Sequence, residues 1–312
     1  MADPAPPAQD SIRSGLLLAF GAYASWGLLT LFWKALAGVP TVEQLIWRVS
    51  GAAVIMLGLL GVRGRLGELP PILRDRGKRR RLALSALLLA ANWFVFLYAV
   101  ETERVLQASL GYYLNPIVST LLGMIVLGER LRRLQWAAVA AALLGVAVLV
   151  WRVGVFPWIG LALALAFGFY GLLRKTVEVE PLPGSAIETS LLALPCVAMI
   201  VWLELGPAAP LAPGHLVSAG PKVTALLLLT GLITAVPLLW FTAAARKLPL
   251  FALGFMQYLT PTTQFLLAVL AFGEAFTPAH GLAFATIWTG VGLFATDLVL
   301  EQRRVRRALK PV

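Results

Sequence analysis

Arg48 is the residue in this sequence with the most to explain. It is the one formal charge read well inside an apolar stretch. It stands seven residues past Thr41, roughly 10 Å into a helix at 1.5 Å of rise per residue. Burying a guanidinium there costs about 2.5–3.5 kcal/mol on insertion scales unless it finds a partner or water. It can anchor an anion or a carbonyl of a bound molecule. Snorkelling to the outer interface, or a bond to helix-end carbonyls, is the structural alternative. Two polar stripes carry the rest. Tyr112, Asn115, Pro116 and Ser119 fall at i, i+3, i+4 and i+7 and share a helical face, and Gln257, Thr260, Pro261 and Gln264 repeat that spacing. Each proline removes a backbone bond and frees the carbonyl four residues earlier, at Tyr112 and at Gln257. These groups form hydrogen bonds; none is a nucleophile beside a base. With two histidines (His215, His280) and one cysteine (Cys196), no metal cluster and no internal disulfide are expected. No G-x-S-x-G and no carboxylate pair at helical spacing occurs in a span, so neither a catalytic residue nor a cofactor is expected. The chemistry on offer is binding.

The elements that hold these residues follow from composition. Of 312 residues, 59% are hydrophobic and 13% charged, with a mean hydropathy of +0.83. A soluble domain carries about 25% charged residues, so lipid is the solvent for most of this chain. A spanning helix needs about 20 apolar residues. Ten such stretches are read, near 15–35, 42–62, 81–100, 106–127, 133–151, 157–174, 186–205, 223–245, 250–272 and 279–299. The fold class expected is all-α integral membrane. Residues 1–14 read as a flexible tail and 300–312 as a basic one. Twenty-one of the 26 Lys and Arg fall in the tails and even-numbered loops, four fall on the other side, and Arg48 lies within a span. By the positive-inside rule both termini and the 63–81 loop are cytoplasmic. The net charge of +11 is therefore a topology signal. No basic run is interleaved with aromatics on a soluble fold, so no nucleic-acid partner is expected; anionic lipid is.

The chain also repeats itself. At a shift of 145, LGYYLNPIVSTLLGMIVLGE (110–129) falls on FMQYLTPTTQFLLAVLAFGE (255–274), matching at Tyr113/Tyr258, Pro116/Pro261, Gly128/Gly273 and Glu129/Glu274 among seven of twenty positions. At 144, Trp26-Gly27 falls on Tyr170-Gly171, and Thr41-x-x-Gln44 falls on Ser185-x-x-Glu188. The last pair reads as two capping boxes opening helices. Residues 15–151 and 157–299 then form two five-helix repeats, and an odd number of spans inverts the second relative to the first. Inverted repeats are a transporter architecture, and interrupted helices at matched midplane positions point to its site. Asn92 matches Pro237 in the third and eighth spans, with Trp93 and Trp240 nearby. Trp26 is mid-span, where an interfacial belt does not explain it. The cavity candidates are thus Trp26, Arg48, Asn92, Tyr112, Asn115, Tyr170, Gln257, Thr260 and Gln264. The acids read as ordinary: Glu43 and Glu188 in first turns, and Asp297 in a solvated pair with the tail arginines. No carboxylate is read at midplane.

The segments LNP…LGERLRRLQW and LTPTTQFLLAVLAFGE, with WGLLTLFWKALAGVP, ANWFVFLYAV, ASLGYYLNP, FGFYGLLRK, ETSLLALP and PLLWFTAAARKLP, resemble the EamA branch of the drug/metabolite transporter superfamily, and within it the RarD-type permeases. The resemblance covers about residues 13–299. RarD-type proteins usually carry His before the arginine of the second helix; here it is Trp47. Glu129 and Glu274 fall on a turn signature of the family. The resemblance implies a bacterial inner-membrane permease, an exporter of small metabolites or drugs. The alternatives are a flippase for a lipid-linked small molecule and, from another class, an integral membrane enzyme.

Overall fold

A computed structural model describes residues 9–36, 38–101, 105–153, 158–205, 220–271 and 278–308, and among these residues it contains helices and no strand. In chain order the helices are α1 (Gln9–Ala35), α2 (Thr41–Val62), α3 (Leu69–Arg74), α4 (Arg76–Glu101), α5 (Val105–Leu127), α6 (Arg133–Val153), α7 (Trp158–Thr176), α8 (Pro181–Leu205), α9 (Pro221–Lys247), α10 (Leu250–Gln257), α11 (Leu259–Leu270) and α12 (Pro278–Ala308). A short 3-10 turn, Leu66–Glu68, leads into α3. Among the described residues, five helices are long and apolar enough to cross a bilayer: Asp10–Trp33, Val42–Val62, Trp158–Thr176, Pro181–Trp202 and Pro221–Lys247. Their outer faces carry exposed side chains such as Leu17, Val54, Leu194 and Leu228, the surface that lipid tails solvate. The chain is thus an all-helical membrane protein. Helix α1 starts at Gln9 and α12 runs to Ala308, so both reach into stretches read from sequence as tails.

The most extensive packing joins α6 to α12, α5 to α7, α9 to α2, α2 to α8, α1 to α9, α4 to α7, α5 to α10 and α1 to α11. Each of these pairs takes one helix from before residue 154 and one from after 157. The two parts of the chain therefore interlock, and the core is shared between them. Small residues make this possible, because bilayer helices associate by close approach of backbones. At the α2–α9 crossing, a Cβ added to Gly231 would lie 2.5 Å from the Gly51 carbonyl carbon, so the two backbones touch.

Three local expectations are corrected. The capping boxes are not formed. Helix α2 begins after Pro40, and the Gln44 amide donates to Val39 O at 2.8 Å in the preceding turn. Helix α8 begins at Pro181, a proline suited to a first turn, so Ser185 and Glu188 lie inside it. The proline stripes behave differently from one another. Helix α5 runs through Pro116, whereas the second stripe breaks between α10 and α11 at Tyr258, whose N–H bonds back to Phe255 O at 3.3 Å. Asp297 is 5% exposed and pairs with Arg132 and Gln135 of the α5–α6 turn and α6. A carboxylate on an apolar helix is thus drawn to the fixed donors nearest to it. Glu274 lies outside the described residues.

The loop before α4 carries a surface clamp. Arg65 donates to Glu68 at 2.5 Å and to Glu180 of the α7–α8 turn at 2.5 Å. The Arg65 hydrogen bond holds the Glu68 carboxyl below the usual carboxylate range. A depressed folded value stabilises above the unfolded value and is lost as pH falls through the folded one. The clamp is expected to hold at neutral pH and open below the ordinary carboxylate range. Hydrogen exchange over residues 66–74 checks this: protection should fall on acidification, and Arg65→Ala should show that low protection at neutral pH.

Candidate functional site

The α2–α9 crossing fixes Arg48. Three residues before Gly51 on α2, its Nε donates to Thr234 Oγ1 at 3.3 Å, and Thr234 stands three residues after Gly231 on α9. The guanidinium carbon lies 5.1 Å from the Trp33 ring of α1 and 4.9 Å from the Trp93 ring of α4. Each cation–π contact is worth about 0.5–1 kcal/mol when exposed and about 2 or more when desolvated. Tyr112 of α5 lies within electrostatic range of Arg48 and beside Phe96, with ring centroids 6.1 Å apart. Five helices thus converge on one cation. Arg48, Trp33, Trp93 and Tyr112 are all partly buried where these helices meet. Among the described residues no carboxylate pairs with Arg48, and only its Nε is hydrogen-bonded. The planar fork of its terminal nitrogens is left for an oxygen pair, the geometry a carboxylate or phosphate offers.

Next to this lies an aromatic group. Trp26 meets Tyr23 at 5.6 Å, Phe167 at 5.9 Å and Phe241 at 5.8 Å. Tyr170 stacks on Phe241 at 5.7 Å with 15° between planes. The Trp26 and Tyr170 of the repeat are therefore brought onto one partner ring. Tyr113 and Tyr258, also matched at 145, meet at 6.2 Å, and Tyr258 donates to Tyr113 O at 3.3 Å.

The remaining candidates separate. Asn92 is buried and donates to Leu163 O at 3.0 Å, tying α4 to α7. Thr260 donates to Tyr23 O at 2.8 Å, tying α11 to α1. Gln257 is buried at the last position of α10, and Gln264 is half-buried on α11. Asn115 is fully buried, and neither its Nδ2 nor its Oδ1 has a partner among the described residues. An unmet buried amide costs about 1–3 kcal/mol, whereas an apolar group of the same shape does not. Asn115→Leu should therefore leave the unfolding midpoint of the purified protein unchanged or raise it. A clear drop in midpoint would show that the amide is satisfied in the native state.

Sequence reading missed a second charged group. Glu188 of α8 and Arg174 of α7 are both fully buried, with Arg174 Nη1 3.4 Å from Glu188 Oε1. Ser85 of α4 donates to the same carboxylate oxygen, and Tyr170 donates to the other at 3.4 Å. Arg174 also donates to Pro181 O at 3.3 Å and lies flat on Gly184, where a Cβ would come within 2.3 Å of its Nη1. Arg48 is thus not the sole charge inside the helices, and Arg174 does not sit in a loop. The signal available was weak: a lone serine in α4 and an Arg–Glu spacing of fourteen across a turn. Trp33 was easier to find, because it stands seven residues after Trp26 on one helical stripe.

The EamA-like transporter family matches residues 13–151. An "Uncharacterized transporter" of Vibrio cholerae serotype O1 is 40% identical, over 97% of this chain and 98% of that one. Protein RarD of Escherichia coli K12 is 41% identical, over 95% of this chain and 98% of that one. A solved crystal structure, 21% identical, superposes with a TM-score of 0.67 over 94% of this chain and 99% of its own, a likeness in fold. At this identity over nearly the full length, the chain belongs to the EamA family of the drug/metabolite transporter superfamily and is a RarD-type permease.

Proposed function

We propose that this protein is a bacterial inner-membrane secondary transporter that moves a small anionic or zwitterionic metabolite or drug by alternating access, with Arg48 as the anchor for the substrate's negative group. The observation that carries the reading is the Arg48 guanidinium, set over the Trp33 and Trp93 rings and paired with no carboxylate among the described residues. A charge placed inside apolar helices is by default part of a substrate or ion path. A permanent cation would meet Arg48 in a poorly screened site and be repelled. Tyr112 beside Arg48, and Trp26 beside Phe167, supply polar and apolar walls; Asn115, Gln257 and Gln264 complete the space in another state of the carrier.

The transport cycle rests on ten spans arranged as two inverted five-helix repeats, 15–151 and 157–299, with both termini in the cytoplasm. Helix neighbours support this. Exchanging α1 with α7, α2 with α8, α4 with α9, α5 with α10–α11 and α6 with α12 returns the principal packing pairs except α2–α9, whose counterpart α4–α8 packs less extensively. Under that exchange α4–α7 becomes α9–α1, and α5–α7 becomes the contact of α10–α11 with α1. The Tyr113–Tyr258 contact suits a pseudo-twofold axis, on which matched residues meet one another. Export as the physiological direction is part of the proposal. The test is a proteoliposome screen over amino acids, nucleosides, amphenicols and quaternary ammonium compounds at neutral pH, each flux compared with protein-free vesicles. Saturable flux of an anionic or zwitterionic compound is expected. Flux confined to permanent cations would overturn the assignment of Arg48.

A further inference from the structure

A separate cavity of about 350 Å³ opens at the other end of the interlocked helices, where α1, the α5–α6 turn, the end of α7 and the α9–α10 turn converge. Its wall holds four cations, Arg130, Lys175, Arg246 and Lys247, and a single carboxylate, Glu129. Glu129 is already engaged. Its two oxygens accept from the N–H groups of Leu250 at 2.8 Å and Phe251 at 3.3 Å, closing the first turn of α10. The φ of +67° at Gly128 turns the chain so that the carboxylate reaches across. Lys175 donates to Leu248 O and Lys247 to the Ser14 hydroxyl at 3.0 Å. Both ammonium groups are thus fixed in place by neutral oxygens and keep their charge and spare donors. Arg130 and Arg246 are exposed, and among the described residues neither pairs with a carboxylate. The cavity therefore concentrates positive charge that its one carboxylate, Glu129, within electrostatic range of Lys175, offsets only in part. Phe251 adds an apolar edge beside it.

We infer that this cavity is a binding site for a phosphate-bearing anion, with the headgroup of an anionic phospholipid as its occupant. Three features fit that chemistry. Phosphate accepts from several ammonium and guanidinium donors at once, and here two of each face one space. The volume lies at the small end of the range for ligand sites, suited to one headgroup. Basic pockets between membrane helices on the cytoplasmic side attract anionic lipid at about 1 kcal/mol per Lys or Arg near the surface. The site also bridges Ser11 of α1 and the α5–α6 turn to α7, α9 and α10. A bound anion would hold those elements together and stabilise the state seen here. The inference does not depend on Arg48 or on the transported substrate.

The test uses the purified full-length protein, titrated with dihexanoyl phosphatidylglycerol, dihexanoyl phosphatidylcholine and inorganic phosphate. Thermal unfolding and native mass spectrometry are the readouts. The phosphatidylglycerol is expected to raise the midpoint and remain bound, and the phosphatidylcholine to do neither. The Arg130→Gln/Arg246→Gln variant, which alters only exposed side chains, should fold normally and lose at least about ten-fold in phosphatidylglycerol affinity, a loss of about 1.4 kcal/mol. If inorganic phosphate stabilises the parent as well as the lipid does, and the variant loses that too, the site holds but its occupant is the free anion. Equal binding of the anionic and zwitterionic lipids, or unchanged phosphatidylglycerol affinity in the variant, would overturn the inference.

Discussion

Arg48→Gln is expected to abolish most transport of the preferred anion or zwitterion while the protein inserts and folds as before. The Nε bond to Thr234 and the two tryptophan faces position the guanidinium but do not neutralise it, so its charge is available to the substrate. Hydrogen bonds to charged groups contribute about 1.5–3 kcal/mol, which is about ten- to a hundred-fold in transport at limiting substrate. Glutamine keeps hydrogen bonding and loses the charge. Lysine keeps the charge and loses the planar fork, so Arg48→Lys should retain part of the flux. Initial rates in proteoliposomes, normalised to inserted protein, provide the comparison. Parental rates in both variants would reduce Arg48 to a structural residue and remove the inference about substrate charge with it.

The second large effect is on stability. Glu188 and Arg174 are fully buried together, and removing one partner leaves the other charged and uncompensated. Such single removals cost about 3–5 kcal/mol. Glu188→Leu should lower the unfolding midpoint sharply, because Arg174 then keeps only Pro181 O while its Nε is already unpartnered. Arg174→Met should do nearly as much harm. The double variant Glu188→Leu/Arg174→Met should recover most of the loss, since an apolar pair of similar volume avoids the desolvation of two ions. Denaturant unfolding of the detergent-solubilised protein reads all three. Additive losses in the double variant would mean that the two residues act independently.

Much of this architecture is written in the sequence at long range and little of it at short range. Apolar stretches of spanning length locate the helices, because lipid leaves the backbone few alternatives. The ends were harder. Pro181 and Gln9 start helices earlier than hydropathy suggests, since the first turn of a membrane helix can be polar or carry proline. Arg48 was legible because a charge in an apolar run stands out. Its neighbours Trp93 and Thr234 were not tied to it by any periodicity within one helix; Thr234 meets it because Gly51 and Gly231 let the α2 and α9 backbones touch. Glu188 misled for the converse reason. Its spacing from Ser185 imitates a capping box, and only the packing of α4 against α7 and α8 brings Ser85, Tyr170 and Arg174 around it. Asn92 and Thr260, read from sequence as cavity candidates, each tie two helices together.

On the proposed cycle, one space around Arg48 opens in turn to the two sides of the membrane. The most direct measurement places a single cysteine at position 112, in a Cys196→Ser background, and treats right-side-out and inside-out vesicles with an impermeant thiol reagent. Tyr112 is half-buried and within electrostatic range of Arg48, so a thiol there samples that space. Modification from both sides, slowed on each side by a transported compound, is the predicted result. Access from one side only under every condition, or no access from either, would contradict alternating access through this space.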